Sequence, residues 1–202
     1  MNCQQQIITR FMLAPQASYD KSHTRRVRQH ISEDYRLKPA AVLIPLVPRH
    51  GSFSMIFTRR ADHLKHHPGQ VSFPGGRYEP QDVDLIDTAL RETHEETGIL
   101  CNRDSIIGQL PSLPTISGYI VTPYLSVISP NYRPELDPNE VDELFEAPIE
   151  HVLNPMNIRT QKVTLDGKIH NIYSVPFSKY SIWGATAQML KVLSDQLWHE
   201  QN

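Results

Sequence analysis

RETHEETG (residues 91–98) crowds three carboxylates, Glu92, Glu95 and Glu96, into five positions with no lysine among them. The apolar spacing predicts a helix over residues 83–97, stopped at Gly98, a residue suited to the left-handed position after a helix. At about 100° per residue, Ile86, Ala89, Leu90, Thr93 and Thr97 form one stripe, the expected core face. Asp84, Asp87, Thr88, Arg91 and His94 cover the opposite side, toward water. Glu92, Glu95 and Glu96 share a third sector beside the core stripe. Like charges at this spacing cost roughly 0.2–0.5 kcal/mol per pair, and anions near a helix C-terminus oppose its dipole. A hard divalent cation reverses the sign of both effects, because Mg²⁺ or Mn²⁺ takes oxygen ligands and shares them with water and phosphate. The alternative is a plain solvated face, the commoner use of a Glu-rich helix.

Just upstream lies GQVSFPGGRYEPQD (69–82). Pro74-Gly75-Gly76 reads as a tight turn whose backbone can approach a ligand closely. A glycine loop feeding an acidic helix is one way to bring phosphate beside a metal. Before it, Arg59, Arg60, Lys65 and the histidines 63, 66 and 67 form a locally basic stretch. The histidines lack the paired spacing of a zinc site.

The wider chain sets bounds. Its 202 residues suit one domain with an extension. With 39% apolar and 21% charged residues, it has enough to build a core. A net charge of −2 offers no bulk field for nucleic acid or a membrane surface. Cys3 and Cys101 stand far apart, which fits a reducing compartment. The start lacks a signal-peptide run, WHEQN at the end carries no targeting signal, and AAVLIPLV (40–47) is too short to span a bilayer. The expectation is a cytoplasmic protein, monomer or homodimer.

Along the chain, residues 19–37 read as a polar helical lead-in, ended by Lys38-Pro39. AAVLIPLV and SFSMIFTRR (52–60) read as a hairpin turned at His50-Gly51. Residues 61–81 read as a loop. SIIGQL (105–110) and YIVTPYLSVI (119–128) read as strands, and 139–146 as a short helix. RTQKVTL and KIHNIYSV form a second hairpin around Asp166-Gly167, and 185–198 a final amphipathic helix. Interspersed strands and helices give an α/β layered class.

Together, these segments resemble the Nudix box: Gly, five residues, Glu, seven residues, then Arg-Glu-U-x-Glu-Glu-x-Gly-U, with U a bulky aliphatic. Gly76 starts it here, and Arg91, Glu92, Glu95, Glu96, Gly98 and Ile99 end it. Asp82 stands at the first acidic position, separated from Arg91 by eight residues where the pattern has seven, and Thr93 replaces the aliphatic. The leader is similar to that of the coenzyme A diphosphatase branch, L-L-T-x-R-(S/A)-x3-R-x3-G-x3-F-P-G-G. Thr58, Arg60, Ala61, Gly69, Phe73, Pro74, Gly75 and Gly76 match in register, while Lys65 replaces the second arginine and loses its bidentate fork. SGYIVTPYL (117–125), NEVDELFEAPI (139–149) and IWGATA (182–187) are similar to later segments of the branch. The resemblance covers about residues 40–195, so a Nudix domain is expected over 39–200, after an N-terminal helical lead-in over 1–38.

The resemblance implies an α/β/α sandwich, with a mixed sheet between helices. It implies Mg²⁺ or Mn²⁺ held by Glu92, Glu95 and Glu96, and hydrolysis of a diphosphate. In coenzyme A or its thioesters the products are 3′,5′-ADP and (acyl-)4′-phosphopantetheine. Glu95, Glu96 or Glu140 would take the proton from water. Glu140 lies where the family often adds an acid, or else it simply favours the first turn of a helix. Arg91 would orient a glutamate. Arg59, Arg60, Lys65, Gly75 and Gly76 are the candidate substrate contacts. Tyr119 and Trp183 could stack on adenine or simply pack. The alternatives are another nucleoside diphosphate derivative, such as ADP-ribose or NADH, and a non-catalytic nucleotide-binding regulator.

Overall fold

The computed structural model describes residues 3–21, 23, 25, 27, 36–165 and 168–198, with the backbone alone for 163–165 and 168–171. The central strand is β1 (Lys38–Arg49), whose unbroken apolar run suits burial on both faces. β2 (Ser52–Arg60) returns antiparallel to it, Arg49 opposite Ser52. The two turn residues, His50 (φ 45°) and Gly51 (φ 82°), both adopt the left-handed backbone that tight hairpins need.

The segment expected as a loop holds two short strands, β3 (Val71–Ser72) and β4 (Gly75–Arg77). β4 pairs with β1 at Ala40–Val42, ahead of β2 on the same edge. Pro74-Gly75-Gly76 therefore enters a strand and is not a free turn. α1 (Cys3–Leu13) comes first in the chain, and α2 (Leu85–Thr97) follows β4. After a 3-10 turn at Arg103–Ser105 come β5 (Ile106–Gln109), β6 (Leu113–Pro114) and β7 (Tyr119–Val127). β7 runs parallel to β1 from Lys38 to Leu46, which makes the sheet mixed.

Residues expected as a short helix near 139–146 instead form β8 (Val141–Pro148), antiparallel to β2. The outer edge of β2 carries backbone donors and acceptors that need partners, and this pairing satisfies them. Tertiary demand outweighs a weak local pattern. A bulge falls between Arg59 and Arg60.

Among the described residues eight strands join in this sheet. After α3 (Ile149–Val152), a second sheet follows of β9 (Arg159–Leu165), β10 (Lys168–Phe177) and β11 (Tyr180–Trp183). Leu165 and Lys168 pair across the expected second hairpin, whose turn lies outside the described residues. α4 (Ala185–Trp198) closes the chain.

Helices cover both faces of the main sheet, as the sandwich reading expects. On one, Ala89 of α2 packs against Ala41, Leu43 and Tyr124. Small side chains at positions 41 and 89 let the helix lie close to β1. On the other, α1, α3 and α4 share a core with Ile44, Leu46, Phe57 and Leu125. α1 falls within the expected helical lead-in, though ahead of the stretch 19–37 read as its helix. Its Ile7 and Phe11 are buried, and a Cβ on Gly108 would come within 2.6 Å of Phe11. Gln196 of α4 donates to the Phe11 carbonyl at 2.9 Å. The helix expected over 19–37 lies mostly outside the described residues, of which 21, 23, 25 and 27 are helical.

Candidate active site

α2 begins where Asp84 accepts from the Asp87 amide at 3.0 Å, and it ends at Gly98 (φ 69°). Ala89, Thr93 and Thr97 are buried as expected. Thr93, the departure from an aliphatic, donates its buried hydroxyl to the Ala89 carbonyl at 2.7 Å, so no polar group is orphaned. Thr88 faces inward and not to water. Its hydroxyl donates to Asp82 at 2.8 Å.

Asp82 is an anchor. It is buried, and both carboxylate oxygens are taken by Arg91, at 2.8 and 3.1 Å. It also accepts from the Glu79 amide at 2.9 Å. Arg91 above all, then the Glu79 amide and Thr88, hold its carboxyl well below the usual range. Asp82 is thus committed to the Arg91 anchor, with Oδ2 alone taking three donors. The same guanidinium reaches Glu92 at 3.1 Å and Glu95 at 2.8 Å. Arg91 thus orients glutamates, as its position suggested.

The three glutamates do not share one environment. Glu95 is exposed and drawn to Arg91, away from the core edge where the helical wheel placed it. Glu92 lies against Gly76, where an added Cβ would come within 2.6 Å of its carboxylate. Glu96 is buried, 4% exposed. The Gly75 amide hydrogen-bonds to its carboxylate, but Oε2 has no partner. Burial, followed by the charges of Glu92 and Glu140, pushes the Glu96 carboxyl up to about 8, against the pull of Arg60. Burial likewise raises Glu92.

β4 is what brings backbone to these groups. A Cβ on Gly75 (φ 149°) would run into the backbone of Ala41 and Val42 on β1. The preceding leader is pinned in turn. Phe73 stacks on Phe57 at 4.9 Å, and Thr186 of α4 donates to the Val71 carbonyl at 3.2 Å. The bulge at the end of β2 separates two arginines. Arg59 is paired with Asp62 and Asp142, while the charge of Arg60 acts on Glu96. Lys65 and histidines 63, 66 and 67 are exposed on the following loop. Tyr119 is half-buried and Trp183 exposed.

Glu140 is exposed at the foot of β8, not in a helix, and its charge acts on both Glu92 and Glu96. Its carbonyl accepts from the Ala61 amide at 2.9 Å, joining it to the leader. Sequence reasoning missed two supports, Thr88 and the turn at Asp137. A hydroxyl six positions beyond Asp82, and an Asp-Pro-Asn ahead of Glu140, were the signals available.

Residues 37–166 match the profile of the NUDIX domain. The chain belongs to the Nudix hydrolase family. A protein named "Uncharacterized Nudix hydrolase NudL" from Enterobacter sp. (strain 638) is 36% identical over 177 residues, covering 87% of this chain and 92% of its own. One of the same name from Yersinia enterocolitica is 39% identical over 158 residues, covering 78% and 80%. A MutT/nudix family protein from Enterococcus faecalis shares the fold, with a TM-score of 0.54 at 15% identity over 96% of this chain and 73% of that one.

Nudix hydrolases are pyrophosphohydrolases that generally use divalent metals such as Mg²⁺ or Mn²⁺. The residues of this Nudix box fit such an ion. Glu96 offers a buried carboxylate oxygen with no partner, Glu92 lies beside it, and every donor is a hard oxygen. Among the described residues no three acidic, His or Cys side chains are yet gathered into one coordination set, and Glu95 is turned to Arg91. Among the same residues, no helix is long and apolar enough to cross a membrane.

Proposed function

We propose that this Nudix hydrolase cleaves the diphosphate of coenzyme A or its thioesters, giving 3′,5′-ADP and (acyl-)4′-phosphopantetheine. The observation that carries the reading is the leader. The segment Ile56–Gly76, whose pattern is similar to the coenzyme A branch, is the one that lays Gly75 and Gly76 against Glu96 and Glu92 and sets the charge of Arg60 beside Glu96. The specificity segment and the metal helix thus form one wall.

Glu92, Glu95 and Glu96 would hold Mg²⁺ or Mn²⁺, with Glu95 released from Arg91. When bound, the metal neutralises diphosphate charge and lowers the pKa of a bound water. Arg60 and Lys65 meet the remaining phosphate charge, and Arg59 joins them on leaving its aspartates. The lack of side chains at Gly75 and Gly76 allows close approach of phosphate to the helix. Glu95, Glu96 or Glu140 accepts the proton as water attacks phosphorus and the anhydride P–O bond breaks. Attack then depends mainly on positioning and charge stabilisation.

The test is turnover of coenzyme A against ADP-ribose and NADH, in Mg²⁺ and in Mn²⁺, with products identified by mass. Preference for coenzyme A, with the two named products, supports the reading, and no preference sinks it. A second reading, hydrolysis of another nucleoside diphosphate derivative, draws on Lys65, which lacks the bidentate grip of the arginine it replaces. A non-catalytic regulator would tolerate Glu95→Gln and Glu96→Gln. The expectation here is that both abolish turnover with the fold intact.

A further inference from the structure

The C-terminal end of α2 leaves backbone carbonyls without helical partners. The loop 129–140 supplies donors to two of them. The Glu135 amide donates to the Thr97 carbonyl at 2.7 Å, and the Asp137 amide to the Glu96 carbonyl at 3.1 Å. Gly98 makes room for this approach, because a Cβ there would come within 2.7–2.9 Å of Glu135. The loop is therefore bonded to the backbone of the buried glutamate itself.

Asp137 also builds the turn into β8. Its Oδ1 accepts from the Asn139 amide at 2.9 Å and from the Asn139 side chain at 2.8 Å. Its carbonyl accepts from the amides of Glu140 at 3.1 Å and Val141 at 2.9 Å. The Glu140 carbonyl in turn accepts from Ala61. One residue thus grips Glu96 on one side and shapes the turn that presents Glu140 on the other.

We propose that Asp137 is a positioning residue, which fixes the carboxylate of Glu140 relative to that of Glu96 through this turn. The inference rests on reading both glutamates as members of the site. Asp137→Ala keeps the backbone bonds but frees Asn139 and loosens the turn. Asp137→Asn keeps an acceptor oxygen and should preserve it.

The primary measurement is Mn²⁺ binding to substrate-free protein, by calorimetry or by the paramagnetic signal of free Mn²⁺. Loss of a supporting residue of this kind costs roughly 10–100-fold in metal affinity or activity. Asp137→Ala should weaken Mn²⁺ binding by about tenfold and lower kcat on coenzyme A similarly, with KM little changed. Asp137→Asn should stay within about threefold of wild type on both counts. Glu140→Gln should match Asp137→Ala, and the double variant should be no worse than Glu140→Gln alone.

Wild-type Mn²⁺ binding in Asp137→Ala overturns the inference. So do equal losses in Asp137→Asn and Asp137→Ala, or additive losses in the double variant. Wild-type binding in Glu140→Gln overturns the inference, and wild-type kcat there overturns the assignment of Glu140 as well. If coenzyme A is not turned over but the Mn²⁺ pattern holds, the substrate reading fails and the positioning role stands.

Discussion

Glu96→Gln should remove turnover and yet stabilise the metal-free protein above neutral pH. In the native state the Glu96 carboxyl titrates near 8, against an ordinary value of 4.5. Between those limits the folded protein holds a proton that the unfolded chain has released. A group raised in this way contributes stability that is complete below 4.5 and lost as pH climbs through 8. At about 1.36 kcal/mol per pH unit, the full loss is on the order of 4–5 kcal/mol, of which the smaller part is gone by pH 5.5. Glutamine does not titrate. Its carbonyl can still accept from the Gly75 amide, but its NH₂ takes the place of the unpartnered Oε2, at a pH-independent cost of about 1–3 kcal/mol. The variant should therefore be no more stable than wild type at pH 5.5 and should gain on it by about 3 kcal/mol by pH 8.5. Urea unfolding in EDTA at pH 5.5, 7 and 8.5 measures this, with the m-value as a check on the unfolded state. Added Mg²⁺ should raise the Tm of wild type and not of the variant. A stability difference that stays flat across pH would refute the assignment of Glu96 as the strained acid. Wild-type turnover would refute its place in the reaction.

Three other outcomes derive from packing. Gly75→Ala should destabilise the fold by about 1–3 kcal/mol or more, because its Cβ meets strand backbone, whereas Gly76→Ala, whose Cβ meets first the movable Glu92 carboxylate, should spare the melting temperature and depress turnover. Comparable effects from the two would contradict the geometry of β4. Arg91→Ala leaves Asp82 buried and unpaired and should cost about 3–5 kcal/mol. Asp82 normally contributes stability that is present above its ordinary 3.8 and lost only as pH falls below it, so the acid unfolding midpoint of the variant should move up. Phe11→Ala should cost about 3–5 kcal/mol in urea unfolding, and an effect under about 1 kcal/mol would mean that α1 is not part of the core.

The elements that were legible carry their information locally. An unbroken apolar run announced β1, and a turn of two residues tolerant of positive φ announced the first hairpin. Gly98 marked the end of α2. What escaped was decided between distant segments. The residues of β8 give no clear strand alternation, and only the open edge of β2 makes them one. The wheel of α2 sorted its faces by a single direction of burial, but the helix is covered from two sides, by β1 and by the Asp82 segment, so Thr88 turned inward. The place of α1 within the helical lead-in was missed because CQQQIITRFML holds few apolar residues, and Ile7 and Phe11 matter only once α4 and Gly108 are there to receive them.

The site shows the same division. RETHEETG identifies the acidic helix but not how its charge is distributed. One guanidinium at Arg91 is shared among Asp82, Glu92 and Glu95, and it answers most of the negative charge on that side. Glu96 and Glu140 lie beyond its reach, with Arg60 the cation acting on Glu96. The helix is therefore split lengthwise into a flank neutralised by Arg91 and a flank whose buried Glu96 carboxyl keeps its proton until pH approaches 8 or a cation arrives. Distributing the positive charge evenly would have relieved Glu96 and left nothing to attract a cation. Removing Arg91 would have made every carboxylate equally repulsive and left none held in place. The buried, unpartnered oxygen of Glu96 sits in backbone tied by the Arg91–Asp82 bonds and by the pairing of the glycine strand with β1. That localised frustration is what a divalent ion would relieve.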